Sequence, residues 1–369
     1  MRVLLAVALL AACRFSPGDS SGDAGVRNDG PRDGSPDAFV RPANCYGTGY
    51  TVVCPAVLPN TPYNVTTTTT ILTDVGSSAC ALLSPPNDAV CVVAGTTVSI
   101  SSFLSARGQR PLVVLSLATL DIPGELDVDS AMGMPGAGST GVGCVGTAPT
   151  QVGGGGYGGS FGGRGGDGGS TAPPAGVAGA AFVPTSLRGG CPGGAGKDPS
   201  SFVGLGGGAV ALIAVNGISV LGTINASGSA GGGARTGQGG GNGGGAGGMI
   251  VLDGEAITVG TSTQIFANGG GGGGGDSAFG IDGSDGSNPS STTAGGGGGG
   301  GGGITGGKGG AGATLDASSR DPIDAGRGAD PSSGNAGDGG GGGGFGVIKL
   351  FHAAMPTGAG LARFSPRPI

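Results

Sequence analysis

Tryptophan is absent from this 369-residue chain, aromatic residues make up only 4% of it, charged residues only 11%, and there is a single histidine. Long stretches therefore lack the side chains for a helix-covered core, which excludes a doubly wound α/β enzyme and a helical bundle. The net charge of −6 leaves no electrostatic footprint for nucleic acid. No CxxC pair occurs, and the lone His352 stands far from every cysteine in sequence, so neither a zinc site nor any other metal or cofactor is expected. Neither a nucleophile elbow nor a GxxxxGK[ST] phosphate loop is expected, and GxGxxG-like strings carry no information in a chain this rich in glycine.

Glycine fills these gaps. It accounts for 94 of the 369 residues, against a usual share of about 7%. The glycines fall in runs, such as Gly269–Gly275 and Gly295–Gly303, not at every third position, so collagen is excluded as well.

The first residues read as an export signal. Met1-Arg2 precedes an apolar run from Val3 to Ala12, too short to cross a hydrocarbon core of about 30 Å. The segment 1–12 closes on Leu10-Ala11-Ala12-Cys13, which resembles a bacterial lipobox. That resemblance implies cleavage before Cys13 and lipidation of Cys13, hence a membrane partner through the lipid anchor. Each buried methylene adds about 0.8 kcal/mol, so two or three acyl chains hold a protein where one does not. Arg14 follows the cysteine, with no Asp to signal retention on the inner membrane, so outer membrane or cell surface is the expected location. Residues 13–44 are rich in Asp, Gly, Ser, Pro and Arg with little apolar content, the composition of a solvated tether. Asp19 to Asp37 contains no readable calcium loop.

Removing Cys13 leaves six cysteines, an even number in an exported chain and thus a disulfide set. Short separations favour Cys45–Cys54 and Cys80–Cys91, leaving Cys144–Cys191 to close a glycine-rich loop. A loop of about 15 residues gains about 3 kcal/mol from such a staple in the chain-entropy treatment.

Wherever apolar residues occur, they alternate with period two. Leu120, Ile122, Leu126 and Val128 line up without a gap on Ile218, Val220, Ile224 and Ala226. A third copy, Ile257 to Ala267, has two extra residues in its turn, and Val347 to Leu350 begins a fourth and stops. Val65 to Leu72 and Val90 to Ile100 read as divergent earlier copies. Such a unit cannot bury its apolar side alone but can do so stacked on its neighbours at about 4.8 Å per layer. The expected fold is all-β, a parallel β-helix or solenoid with long glycine-rich loop insertions; an antiparallel sandwich would need hairpin turns at closer spacing. The expected order is disulfide-stapled first coils at 45–131 and a glycine-rich insertion at 132–208. Further coils follow at 209–351, interrupted by insertions at 228–248 and 269–345, and then a tail at 352–369. The insertions have two readings: mobile surface loops, or extended three-per-turn polyglycine helices packed side by side through their missing side chains.

The lipobox, the Asp-rich tether and the paired cysteines are followed by Arg110-Pro111-Leu112-Val113-Val114, Leu187-Arg188-Gly189-Gly190-Cys191 and a Gly-Gly-Met249-Ile250-Val251-Leu252 strand start. In this combination the chain resembles the uncharacterised glycine-rich lipoproteins of myxobacteria and related bacteria over nearly its whole length. It also superficially resembles the glycine-rich halves of mycobacterial PE-PGRS proteins, without their helical PE domain. The first resemblance implies a surface location and an architecture, and no activity.

The best candidate chemistry is acidic. Asp121, Glu125, Asp127 and Asp129 alternate with the inward aliphatics, which places Asp127 and Asp129 on one outward face about 7 Å apart. That spacing suits an acid and a carboxylate across a glycosidic bond, or a bound calcium ion. The aligned residues in later copies are Asn225 and Ser227, then Phe266 and Asn268, so the acids do not accumulate. Thr66, Thr68 and Thr70 are expected on one strand face as ordinary strand formers. The expected function is non-catalytic, an adhesin or a module contacting matrix polysaccharide. A β-helical polysaccharide hydrolase or lyase using Asp127 and Asp129 is the alternative, and a passive envelope spacer is a third.

Overall fold

Short strands in this chain form wherever aliphatic side chains can stand in columns. A computed structural model describes residues 44–80, 89–170, 174–197, 201–235, 237–315, 322–323, 325–332, 336–351 and 363–369. The expected signal segment 1–12, Cys13, the expected tether up to residue 43 and His352 lie outside the described residues. The described residues all belong to one compact unit, Ala43–Ile369, and contain a 3-10 turn at Ser78–Cys80 but no α-helix.

The strands are β1 (Tyr63–Val65), β2 (Thr69–Leu72), β3 (Cys91–Gly95), β4 (Val98–Ile100), β5 (Phe103–Arg107), β6 (Leu112–Ser116), β7 (Thr119–Ile122) and β8 (Glu125–Asp127). They continue with β9 (Gly146–Thr147), β10 (Val177–Ala178), β11 (Ala209–Val220), β12 (Thr223–Asn225), β13 (Met249–Val259), β14 (Gln264–Phe266), β15 (Thr314–Leu315), β16 (Pro322–Ile323), β17 (Val347–Phe351) and β18 (Phe364–Ser365). Two parallel sheets dominate. The larger holds β1, β3, β4, β6, β7, β11, β13 and β17, and the smaller runs in the order β18-β14-β12-β8-β5-β2. β9 with β10 and β15 with β16 form small antiparallel pairs.

The chain passes from the larger sheet to the smaller again and again in one register. Cys91 pairs with Leu112, which pairs with Val210, then Ile250, then Ile348. In the smaller sheet Leu104, Leu126, Ile224, Ile265 and Phe364 form the matching column. These side chains point between the two sheets into one fully buried cluster, where each large aliphatic contributes about 1.5–3 kcal/mol. The connecting turns stack too. A Cβ on Gly124 would come within 2.5 Å of the Ser102 carbonyl oxygen, so only glycine lets adjacent turns approach this closely.

Leu120 over Ile218 and Leu126 over Ile224 reproduce the gapless alignment of the copies. The two upstream copies are present as β1 to β4. The fourth copy does not stop after β17, because β18 pairs with β14 and completes the layer. The larger sheet also differs from simple inside-outside alternation. Val113, Leu115, Ala211, Met249 and Val251 point away from the first core and are buried in a second cluster with Val53, Phe161 and Leu187. A sheet covered on both faces shows unbroken apolar runs, as in Leu112-Val113-Val114-Leu115, which period-two reading underweights.

Much of the described glycine-rich backbone is buried and hydrogen-bonded between segments, while Gly297, Gly298 and Gly300 lie on an exposed side. In residues 240–248 successive N–H groups point at three different neighbours in rotation. Gly240, Gly243 and Ala246 donate to the carbonyls of Lys197, Gly194 and Cys191. Gly241, Gly244 and Gly247 donate to Asp338, Gly341 and Gly344, and Asn242, Gly245 and Gly248 to Gly232, Ser229 and Ala226. Three more segments donate back, for example Gly156 to Gly241, Gly204 to Gly243 and Gly270 to Gly245. A three-residue period with bonds to neighbours on all sides is the packing of polyglycine helices, which satisfies groups that would otherwise be costly to bury. The segments lead straight into strands, as at Gly208 into β11, Gly248 into β13 and Gly346 into β17, so the sheets set their register.

Candidate functional site

Arg107 ends β5, and the register that pairs Leu104 with Leu126 also brings Arg107 beside the turn after β8. One guanidinium nitrogen donates to Asp127 Oδ2 at 2.9 Å and the other to Asp129 Oδ1 at 2.7 Å. The second nitrogen also donates to the Asp129 backbone carbonyl. Asp127 Oδ1 accepts the Asp129 N–H at 3.0 Å, and Asn225 Oδ1 accepts the Ser227 N–H at 3.0 Å in the next layer. Asn225 Nδ2 donates to Asp129 Oδ2 at 3.3 Å. Asp127 thus repeats, with a carboxyl in place of an amide, the turn-closing role of Asn225. Leu120, Ile122, Leu126 and Val128 are fully buried as expected. Asp121 is exposed, whereas Asp127, expected on an outward solvated face, is only 6% exposed because the turn and the Arg107 side chain cover it.

Burial pushes the Asp127 carboxyl up to about 7, helped by the charge of Asp129 and opposed by Arg107 and the Asp129 N–H. Glu125 is raised by burial and then by Asp129.

An open groove of about 750 Å³ borders this cluster. Arg107, Gln109, Thr140, Leu72 and Met134 are among its lining, and neither Asp127 nor Asp129 reaches it. The guanidinium therefore stands between the two carboxylates and any molecule in the groove. Leu72 and Met134 are more than half exposed there, 59% and 56%, so the wall alternates apolar and hydrogen-bonding side chains.

The cysteines pair as Cys45–Cys54, Cys80–Cys91 and Cys144–Cys191. Thr66, Thr68 and Thr70 do not share a strand face, since β2 begins at Thr69; the Thr70 hydroxyl lies 2.9 Å from that of Ser105. Gly158-Gly159-Ser160-Phe161-Gly162 has the spacing of a nucleophile elbow, but Ser160 is buried. Its hydroxyl donates to the Gly179 carbonyl and accepts the Gly165 N–H, with no base beside it among the described residues. No group of three His, Cys, Asp or Glu among the described residues is placed to hold a metal ion. Arg107 was the residue sequence reading missed. Its signal was the alignment of Val98–Leu104 on Leu120–Leu126, which carries Arg107 onto Asp129.

No protein-family model, curated protein or solved structure matches the chain.

Proposed function

We propose that this chain is a non-catalytic, surface-anchored lipoprotein that binds matrix or cell-surface polysaccharide. In this reading its folded part is a parallel β-helix bearing a polyglycine bundle, and it is held on the outer membrane or cell surface through lipid on Cys13. It is of a kind with the glycine-rich lipoproteins it resembles. The carrying observation is the groove beside Arg107, whose hydroxyl, amide and apolar lining suits sugar rings while the neighbouring acids are already tied to Arg107. Three disulfides support an oxidising compartment outside the cytoplasm.

The test mixes the full mature chain with a panel of extracellular polysaccharides and follows polymer size on a sizing column. Co-elution of a polymer at unchanged length is the expected result. Shortening of any polymer overturns it. One observation favours that second reading, a polysaccharide hydrolase or lyase: Asp127 keeps its proton to near pH 7 beside Asp129, as an acid paired with a carboxylate would. Shortening that disappears in Asp127→Asn and Asp129→Asn would establish it.

A further inference from the structure

A second cleft, of about 540 Å³, opens where the outer cover of the larger sheet ends. Its walls come from the disulfide-closed segment around Tyr50, the stretch Val183–Thr185, and the outward residues Lys349 and Phe351 of β17. The Tyr50 and Phe351 rings lie 6.0 Å apart at an angle of 55°. Gly49, with φ of +62°, lets the Phe351 ring pack onto the backbone, where a Cβ would meet ring carbon Cζ at 2.8 Å. The Thr48 hydroxyl donates to Asp253 Oδ2 at 2.7 Å, which pins the segment to β13 and occupies that acid. The Lys349 ammonium stands 5.5 Å from the centre of the Tyr50 ring and has no carboxylate partner among the described residues.

A cation over a ring keeps its remaining donors turned outward. Two tilted rings and a proline offer apolar faces, and Thr185 adds a hydroxyl at the rim. Sugar rings present C–H faces to aromatic walls and hydroxyls to polar rims, and Lys349, the one charged side chain of the lining, gives a carboxylate a local partner against the chain's net charge of −6. A peptide adding itself to the sheet edge fits less well, because the Ile369 N–H already occupies the Ile348 carbonyl of β17 at 3.0 Å.

We infer that this cleft is a binding site for a carboxylated polysaccharide, a uronic-acid unit placing its carboxylate on Lys349 and its ring against Tyr50 and Phe351. The inference rests on the polysaccharide-binding reading above and adds a site and a ligand class to it.

The experiment titrates the full mature chain calorimetrically with polygalacturonate, with its carboxyl-reduced neutral counterpart, and with poly-L-glutamate. Polygalacturonate should bind, the neutral polymer and polyglutamate much less, and binding should weaken as salt is raised. Lys349→Met should weaken polygalacturonate about tenfold, the loss of one charge-assisted contact, while Lys349→Arg retains it. Equal affinity for acidic and neutral polymers, or an unchanged Lys349→Met, overturns the inference and leaves the general polysaccharide reading standing. Polyglutamate bound as tightly as polygalacturonate, with the same dependence on Lys349, also overturns it. If no polymer of any kind binds, both readings fall. Should Lys349→Met fold poorly by its thermal midpoint, the polymer and salt comparison on the unaltered chain decides alone.

Discussion

A methyl group added inside the polyglycine bundle should be far more damaging than the same group added on its rim. Gly243 sits mid-segment, donating to the Gly194 carbonyl at 2.9 Å and accepting from the Gly204 N–H. A Cβ there would overlap the Tyr157 carbonyl group, itself the acceptor for Gly194 N–H at 2.7 Å. None of these partners is the flexible end of a side chain, so two segments must separate. Overpacking of this sort costs about 1–3 kcal/mol, and one or two weakened backbone bonds add about 1 kcal/mol each. Gly243→Ala should therefore cost about 4 kcal/mol and lower the thermal midpoint by about 5–10 °C. Gly300 occupies the exposed side of its segment, where the nearest atom to an added Cβ is Ser284 Oγ at 3.7 Å. Gly300→Ala leaves the fold intact and restricts the unfolded chain, for a gain of about 0.4–1 kcal/mol. Calorimetric unfolding of the two variants beside the parent decides the matter. Equal and small shifts for both would refute the bundle, since mobile glycine loops would not distinguish the two sites.

Three further outcomes follow from the same geometry. Asp127 holds its proton to about pH 7 in the fold and releases it near 3.8 when unfolded, so the folded state binds the extra proton between those values. Stability should fall as pH rises through that window, by at most about 4 kcal/mol, and Asp127→Asn should flatten the slope in midpoints measured from pH 4 to 8. Replacing both Cys144 and Cys191 with serine opens a loop whose ends are 47 residues apart and should cost about 4 kcal/mol, read as a lower denaturant midpoint. Cys13→Ser should move the chain from the membrane pellet to the soluble fraction, and an unchanged pellet would remove the lipid anchor from the proposal.

The columns of the inner core were legible because each layer repeats the same aliphatic spacing, so Leu120 on Ile218 could be paired by alignment alone. The three disulfides were legible from separation, since nearby cysteines close the cheapest loops. Alternation failed at Val113 and Val251, where the cover that buries them comes from Phe161 and Leu187 in distant segments with no periodicity of their own. The last layer was missed because β18 returns after an interval carrying no strand pattern, with Phe364 in place of an aliphatic. Asp127 and Asp129 were found but misjudged: their partner Arg107 ends the preceding layer, and a single layer read alone shows two free acids. The glycine bundle was legible only as one of two readings of the insertions, because what decides between them is backbone pairing between segments and not any side chain.

That pairing dictates when the molecule can finish folding. Segment 240–248 is bonded to residues as early as Gly156 and as late as Val347. A nascent chain that has emerged only through residue 248 has made the acceptors around 191–197 and 226–232, but not those at 338–344. The parallel sheets can grow one strand at a time, each new strand adding to the last. The bundle must instead wait for its final segment, because its pairings are non-local. Until that moment its glycines bury nothing, so the incomplete chain stays pliable without displaying a sticky surface. If the chain is exported as proposed, crossing the membrane as an unfolded thread would leave the bundle to consolidate only after its last segment arrives.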